Sequence, residues 1–410
     1  MTPATDGRPK ILTRGLLLAF VASFSAMTSF YLLLSVVPLY AASVGADGVG
    51  AGLSTGALML ATVAAEFATP RLVARYGHRR LLAAGLFLLG APALALPLAT
   101  SLVPILVVCL VRGLGVAITV VVGGALVAML APPERRGEAL GISGVVVGLP
   151  AVLALPAGVW LAGYAGYPTV FVLAAVTGLA GVAAVVAMPK GEPAPAERLG
   201  VMAGMRTPSL LRPSIVFGAT TVAAGVVVTF LPIAVPYAAG TLAAVALFAQ
   251  AAAATLSRWW AGRHGDKHGS AGLLVPGLLA VAVGIMALAL TTSPVAVLAG
   301  AVLFGVGFGI SQNATLSLMF ERVTPSGYGT VSALWNLAYD AGLGVGAVGF
   351  GAAASHTGYP VGFLLTGAVV LAALVLARRE LSSARNQRNR PTADDAVDRP
   401  RHVGPATRAC

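Results

Sequence analysis

The sequence predicts an all-α, polytopic membrane protein of twelve transmembrane helices in two pseudo-symmetric six-helix bundles. Three observations carry that expectation: a composition too poor in charge for a water-facing surface, twelve apolar stretches of spanning length, and an internal repeat. Of 410 residues, 58% are hydrophobic and 10% charged, against about 25% charged in a soluble domain. A mean hydropathy of +0.89 excludes a disordered chain despite 50 Gly and 26 Pro. The two cysteines, one inside an apolar run and one at the last residue, exclude a secreted disulfide framework.

Stretches long enough to cross about 30 Å of hydrocarbon fall at 15–41, 49–69, 80–100, 102–130, 139–163 and 168–188. Six more follow at 213–236, 240–260, 272–291, 294–320, 329–354 and 359–377. The first run follows Arg8, Lys10 and Arg14 as a signal peptide would, but it is too long for one and more spans follow. It is read as span 1. The expected organisation is an N-terminal tail at 1–14, a six-helix half at 15–188, a linker at 189–212, a second half at 213–377 and a disordered basic tail at 378–410.

An even number of spans puts both tails on one side, and 25 of the 26 Lys and Arg residues lie on that side or at its span ends. The positive-inside bias therefore predicts cytoplasmic termini in a multi-pass protein of the plasma membrane. The net charge of +12 is mostly a topology signal and calls for no nucleic-acid partner. The partners expected are the lipid bilayer and a small organic solute, with the chain working as a monomer.

The two halves read as a duplication. "GYPTVF" from Gly166 returns as "GYPVGF" from Gly358, an offset of 192. At that offset Gly77 meets Gly269, Gly113 and Gly115 meet Gly305 and Gly307, and Pro133 and Gly137 meet Pro325 and Gly329. The register fails between spans 1 and 7.

Two six-span halves joined by a basic linker resemble the major facilitator superfamily of secondary transporters. That family carries G-x-x-x-D-[RK]-x-G after span 2, often echoed after span 8. The echo stands here as Gly262, Asp266, Lys267 and Gly269. The first copy keeps Arg75, Gly77, Arg79 and Arg80 but has Pro70 and Ala74 where the family has Gly and Asp. "RGLGVA" from Arg112 looks like the family's span 4 pattern, and Pro156 and Gly158 partly match the span 5 pattern of proton-coupled exporters. The resemblance implies alternating access, with spans 1, 4, 7 and 10 around a central cavity and the loop motifs as gating elements. Arg258 and Glu66, partners at the 192 offset and opposite in sign, join the gating set. Glu66 is expected to stand in for the acid missing at Ala74.

Three ionisable residues lie within the predicted spans: Glu66, Arg112 and Asp340. Charges there cost roughly 2.5–3.5 kcal/mol each at mid-helix and require an explanation. The scaffold needs neither Arg112 nor Asp340, since Phe304 and Gly148 take their places in the other half. Both are expected to couple transport to protons, Asp340 binding a proton on one side and releasing it on the other as its neighbours change. A structural hydrogen bond or static ion pair is the alternative for Asp340.

Ser332, Asn336, Tyr339 and Asp340 recur at helical spacing as one polar stripe on span 11. Such a stripe is either a wet cavity wall or interhelical glue. Tyr31 and Thr28 on span 1, Gln250 on span 8, Gln312 and Asn313 on span 10, and Trp335, Asn336 and Tyr339 on span 11 are the expected substrate contacts. With so few charges the cavity suits amphipathic or lipophilic compounds better than phosphorylated ones.

The glycine runs of spans 10 and 11 follow no strand, so a dinucleotide site is excluded and close helix packing explains them. His78, His264, His268, His356 and His402 form no metal-ligand pattern, and no cofactor is expected. A membrane enzyme would need a nucleophile or paired carboxylates at the midplane, and a sensor would need a soluble output domain. Proton-coupled efflux of a drug or secondary metabolite is the leading expectation, with proton-coupled uptake by the same fold as its rival.

Overall fold

The computed structural model describes residues 13–132, 135–188, 204–236, 240–324 and 327–388. The tail before residue 13, the linker at 189–203, the repeat positions Pro133 and Pro325 and the tail beyond 388 lie outside them. The described residues are almost wholly helical and contain no strand. That outcome follows from solvent, because in hydrocarbon every backbone N–H and C=O must be satisfied within its own segment. Exposed Leu98, Val295 and Trp160 are part of the apolar outer surface this requires.

The spans are Arg14–Ser43, Gly48–Tyr76, His78–Leu98, Leu102–Leu130, Arg136–Ala165 and Tyr167–Val186 in the first half. The second half has Pro208–Ala234, Gly240–His268, Ala271–Ala287, Pro294–Phe320, Tyr328–Thr357 and Tyr359–Ser382. Eleven are long and apolar enough to cross a membrane. The ninth is shorter than its predicted 272–291: a 3-10 turn at Ala271–Leu273 leads into an α-helix of 14 residues, about 21 Å long.

Span starts are capped where the chain supplies an oxygen. Thr13 Oγ1 accepts from Leu16 N at 3.3 Å and Asp47 Oδ1 from Gly50 N at 2.8 Å. Span 1 breaks at Ser35. Pro38 supplies the cause, because its ring lacks an N–H and crowds the carbonyl of Leu34.

The repeat is visible in atomic detail. Gly77 (φ 78°) and Gly269 (φ 87°) turn the chain in the left-handed region at equivalent sites, as do Gly166 and Gly358. A Cβ on Gly113 would sit 2.2 Å from the Leu58 carbonyl oxygen, and one on Gly305 would sit 2.3 Å from that of Gln250. Leu58 and Gln250 are themselves 192 apart, so spans 2 and 4 pack as spans 8 and 10 do.

The halves meet mainly through span 2 against span 11 and span 5 against span 8. At the end away from both termini the first of these contacts is a backbone-to-backbone seal. A Cβ on Gly52 would lie 2.4 Å from the Ala347 oxygen, and one on Gly351 would lie 2.5 Å from the Gly48 oxygen. Thr55 and Thr229 hydroxyls bridge the halves beside it at 3.0 Å. We call this the far end, and the opposite one the basic end.

At the basic end the last part of span 12 is a helix over Leu374–Arg388, which continues beyond the boundary expected at 377. It carries Glu380, which is 1% exposed. This carboxylate bonds Arg322, which also donates to the Ser209 carbonyl, and it faces Arg212 at 3.9 Å. The clamp ties this helix to the start of span 7 and the end of span 10. Glu380→Gln is expected to cost about 1–3 kcal/mol, less than a fully buried pair because both guanidinium groups reach solvent. Thermal unfolding of the purified protein in detergent measures this, and an unchanged midpoint would refute it.

Candidate functional site

Five polar side chains from four spans converge in the interior: Tyr31 of span 1, Glu66 of span 2, Arg258 of span 8, and Tyr339 and Asp340 of span 11. Asp340 stands twelve residues into its span (340 − 328) and Glu66 ten residues from the end of its own (76 − 66). At 1.5 Å per residue these are about 18 Å and 15 Å from the basic end. Their carboxyl groups are neighbours within this cluster. A carboxylate has no proton to donate, so a hydrogen bond between the two requires a proton on one of them. The Tyr31 and Tyr339 hydroxyls face each other beside them, with the Arg258 guanidinium acting on both.

The constellation straddles the two halves, with Tyr31 and Glu66 from the first and Arg258, Tyr339 and Asp340 from the second. Exposure falls along the polar stripe from the basic end inward: Ser332 is exposed, Asn336 and Tyr339 are half-buried, and Asp340 is buried. The stripe is thus most exposed toward the basic end, while the glycine seal holds spans 2 and 11 together at the far end.

Aromatic rings back the second-half side of this site. Trp335 stacks on Phe217 at 4.3 Å between centroids and 11° between planes. Phe217 stacks on Phe308 at 6.3 Å, and the Tyr339 ring lies 6.2 Å from both Phe217 and Trp335. The Trp335 Nε1–H donates to Thr315 Oγ1 at 3.4 Å. One face and the polar edge of Trp335 are therefore committed to the wall, while its half-buried remainder borders the interior.

The other predicted residues divide. Arg258, placed by hydropathy at the membrane edge, sits ten residues inside span 8 (268 − 258) and, although exposed, acts on Tyr31 and Tyr339. Asp340 and Arg112 are not brought together: Arg112, 3% exposed, donates from Nη2 to the Ser29 carbonyl at 3.0 Å. Thr28 bonds its own helix at Phe24 O. Gln250 is buried and Gln312 half-buried. Asn313 packs near Gly262, whose added Cβ would meet Asn313 Nδ2 at 3.3 Å.

The loop residues act locally. Arg79 donates through Nε to Val185 O at 3.1 Å and through Nη2 to Val186 O, capping the end of span 6. Arg75 lies 5.4 Å over the Tyr76 ring, and Arg80 is exposed. Asp266 and Lys267 are exposed, and among the described residues Asp266 forms no ion pair with Arg258 or Arg263. Pro156 is buried, and Gly158 seats span 5 on span 1, its added Cβ lying 2.3 Å from Leu32 O. Among the described residues no group of His, Cys, Asp and Glu is arranged to hold a metal ion.

Phe217, Phe308 and the Thr55–Thr229 bridge were not singled out in the sequence. Phe304 and Phe308, one turn apart, are the only pattern there that points to the ring cluster.

A two-bundle helical membrane carrier with a polar cluster between its halves is the class this architecture defines. The chain belongs to the Major Facilitator Superfamily, whose model matches residues 19–347 and 215–408. It is 23% identical over 357 residues to an uncharacterized MFS-type transporter of Methanocaldococcus jannaschii, covering 83% of this chain and 91% of that protein. Among solved structures it resembles an inward-facing, occupied bacterial homolog of the human lysosomal transporter Spinster, with TM-score 0.73 and 17% identity over 92% of this chain and 97% of that one. It resembles a D-xylose–proton symporter with TM-score 0.73 and 15% identity, covering 90% and 97%. A peptide transporter crystallised with sulfate gives TM-score 0.73 and 16% identity, covering 94% and 96%. At these identities the structures speak to the fold alone. The protein is a membrane transporter of a small solute that works by alternating access.

Proposed function

We propose that the protein exports a small amphipathic organic molecule, such as a drug or secondary metabolite, in exchange for protons. In this reading it is a monomer in the plasma membrane with both termini cytoplasmic, so the basic end is the cytoplasmic mouth and the described state faces inward. The observation that carries the reading is the Glu66–Asp340 contact, because each half contributes one carboxyl group and rocking must separate them.

Together, the two groups hold one proton, since two unscreened carboxylates in contact repel strongly at low dielectric. Solute enters from the cytoplasm and rests against the half-buried edges of Trp335, Asn336 and Tyr339. When the halves rock, Glu66 leaves with span 2 and Asp340 with span 11, the far end opens, and the solute departs. The separated carboxyl groups take one further proton from outside. On return the pair re-forms with one proton and releases the other inward, so one proton enters per solute exported. The seating of Gly158 against span 1 supports export, being the closest match here to the exporters' span 5 pattern.

The test is accumulation of a panel of amphipathic fluorescent dyes in cells expressing the protein, with and without a proton gradient. Lower accumulation that disappears when an uncoupler is added is the expected result. Higher, gradient-dependent accumulation would overturn export and assign uptake.

A further inference from the structure

Arg112 takes no part in the carboxyl cluster, and its surroundings point elsewhere. It borders a cavity of about 20 Å³ in the first half, between the break of span 1 (Phe30, Leu34), span 2 (Ser54, Thr55) and span 4 (Cys109). A guanidinium is charged at every physiological pH and offers five N–H donors. Here Nη2 is spent on the Ser29 carbonyl, while the buried Nε has no partner. Among the described residues no carboxylate forms an ion pair with Arg112. The acids within the spans, Glu66 and Asp340, neighbour each other. A buried cation without counter-charge is strongly unfavourable in a membrane interior, and none of the described residues forms an ion pair that would neutralise it.

The cavity is large enough for one particle slightly larger than water, the threshold for a water being about 10–15 Å³. Thr55 adds a second donor. If Thr229 donates in the 3.0 Å bridge between these two hydroxyls, the Thr55 proton is left to point at an anion. We propose that Arg112 and this cavity bind a single small monovalent anion, chloride or a compact carboxylate, as the counter-charge of the first half. The anion also polarises the Thr55–Thr229 bridge and so strengthens the far-end seal. The site is independent of the solute carried and of the direction of transport.

The test is thermal unfolding of the purified full chain at constant ionic strength, with sodium gluconate progressively replaced by sodium chloride. The expected result is a saturable rise in the midpoint that is abolished in Arg112→Gln and kept in Arg80→Gln, whose arginine is exposed. A midpoint insensitive to chloride and to formate, or an equal rise in Arg112→Gln, overturns the proposal. Formate in place of chloride separates the sources: a rise with chloride, whether or not formate also gives one, shows that a small inorganic ion suffices, whereas a rise with formate alone assigns a carboxylate group of an organic ligand. Arg112→Gln removes the bond to Ser29 and is expected to be less stable in itself. Bromide-soaked crystals of the wild-type protein therefore give a second readout: an anomalous peak beside Arg112 Nε is expected, and its absence overturns the site.

Discussion

Asp340→Asn is expected to reduce proton-driven transport by about 100-fold, the lower end of what a positioned proton-transferring side chain contributes to a step. Asn keeps the size of Asp and can still hydrogen-bond Glu66, so the fold and the contact between halves survive. What is lost is the second acid, and with it the proton released when the pair re-forms. Solute exchange without a gradient, which needs only rocking, is expected to persist. Reconstituted vesicles separate the two: solute movement driven by an imposed pH difference should vanish while counterflow continues. Glu66→Gln is expected to behave in the same way from the opposite half. Wild-type gradient-driven transport in either variant would sink the coupling assignment, and loss of counterflow as well would make the pair structural.

A single methyl group at the far end is expected to trap the carrier. In Gly52→Ala the new Cβ would have to move from 2.4 Å to ordinary contact with Ala347 O, which forces spans 2 and 11 apart where they seal the interior. Overpacking of this kind costs roughly 1–3 kcal/mol, a shift of about 5- to 150-fold toward the state open at the far end. Gly349→Ala on span 11 is the control, because a Cβ there meets nothing within 4 Å. Spin labels on cysteines placed at Leu98 and Val295, 82% and 77% exposed at the far ends of spans 3 and 10, report the separation of the halves in a background lacking Cys109 and Cys410. A longer distance is expected in Gly52→Ala and an unchanged one in Gly349→Ala. Unchanged distances in both would falsify the seal.

Much of the scaffold was legible before any coordinates, because a bilayer leaves a chain few options. Apolar length marks a span, and the duplicated "GYP" and loop glycines recur as the same left-handed turns. The boundaries failed where hydropathy and helicity part company. The stretch read for span 8 ended at 260 with Arg258 at its edge, but the helix continues to His268, and the exposed arginine acts on Tyr31 and Tyr339. Arg378 and Arg379 likewise suggested a disordered tail, whereas the helix continues and buries Glu380. The site was half visible. Glu66 and Asp340 were singled out separately as intramembrane acids, and nothing in a linear sequence says that spans 2 and 11 bring them face to face. The offset of 192 placed Glu66 opposite Arg258 in sign, and both positions do lead into the interior cluster.

The matched glycine contacts bear on how such a carrier changes its cargo. Gly113 and Gly305, and the turns at Gly77 and Gly269, keep the two copies sterically alike after duplication. The pairs Glu66 and Arg258, Arg112 and Phe304, and Gly148 and Asp340 have meanwhile drifted to different chemistry. Skeleton and chemistry are inherited as separable modules. A descendant can acquire a new solute or a new ion by rewriting three pairs of side chains, each on a helix whose close contacts are made by other residues, while the machinery of movement is passed on untouched.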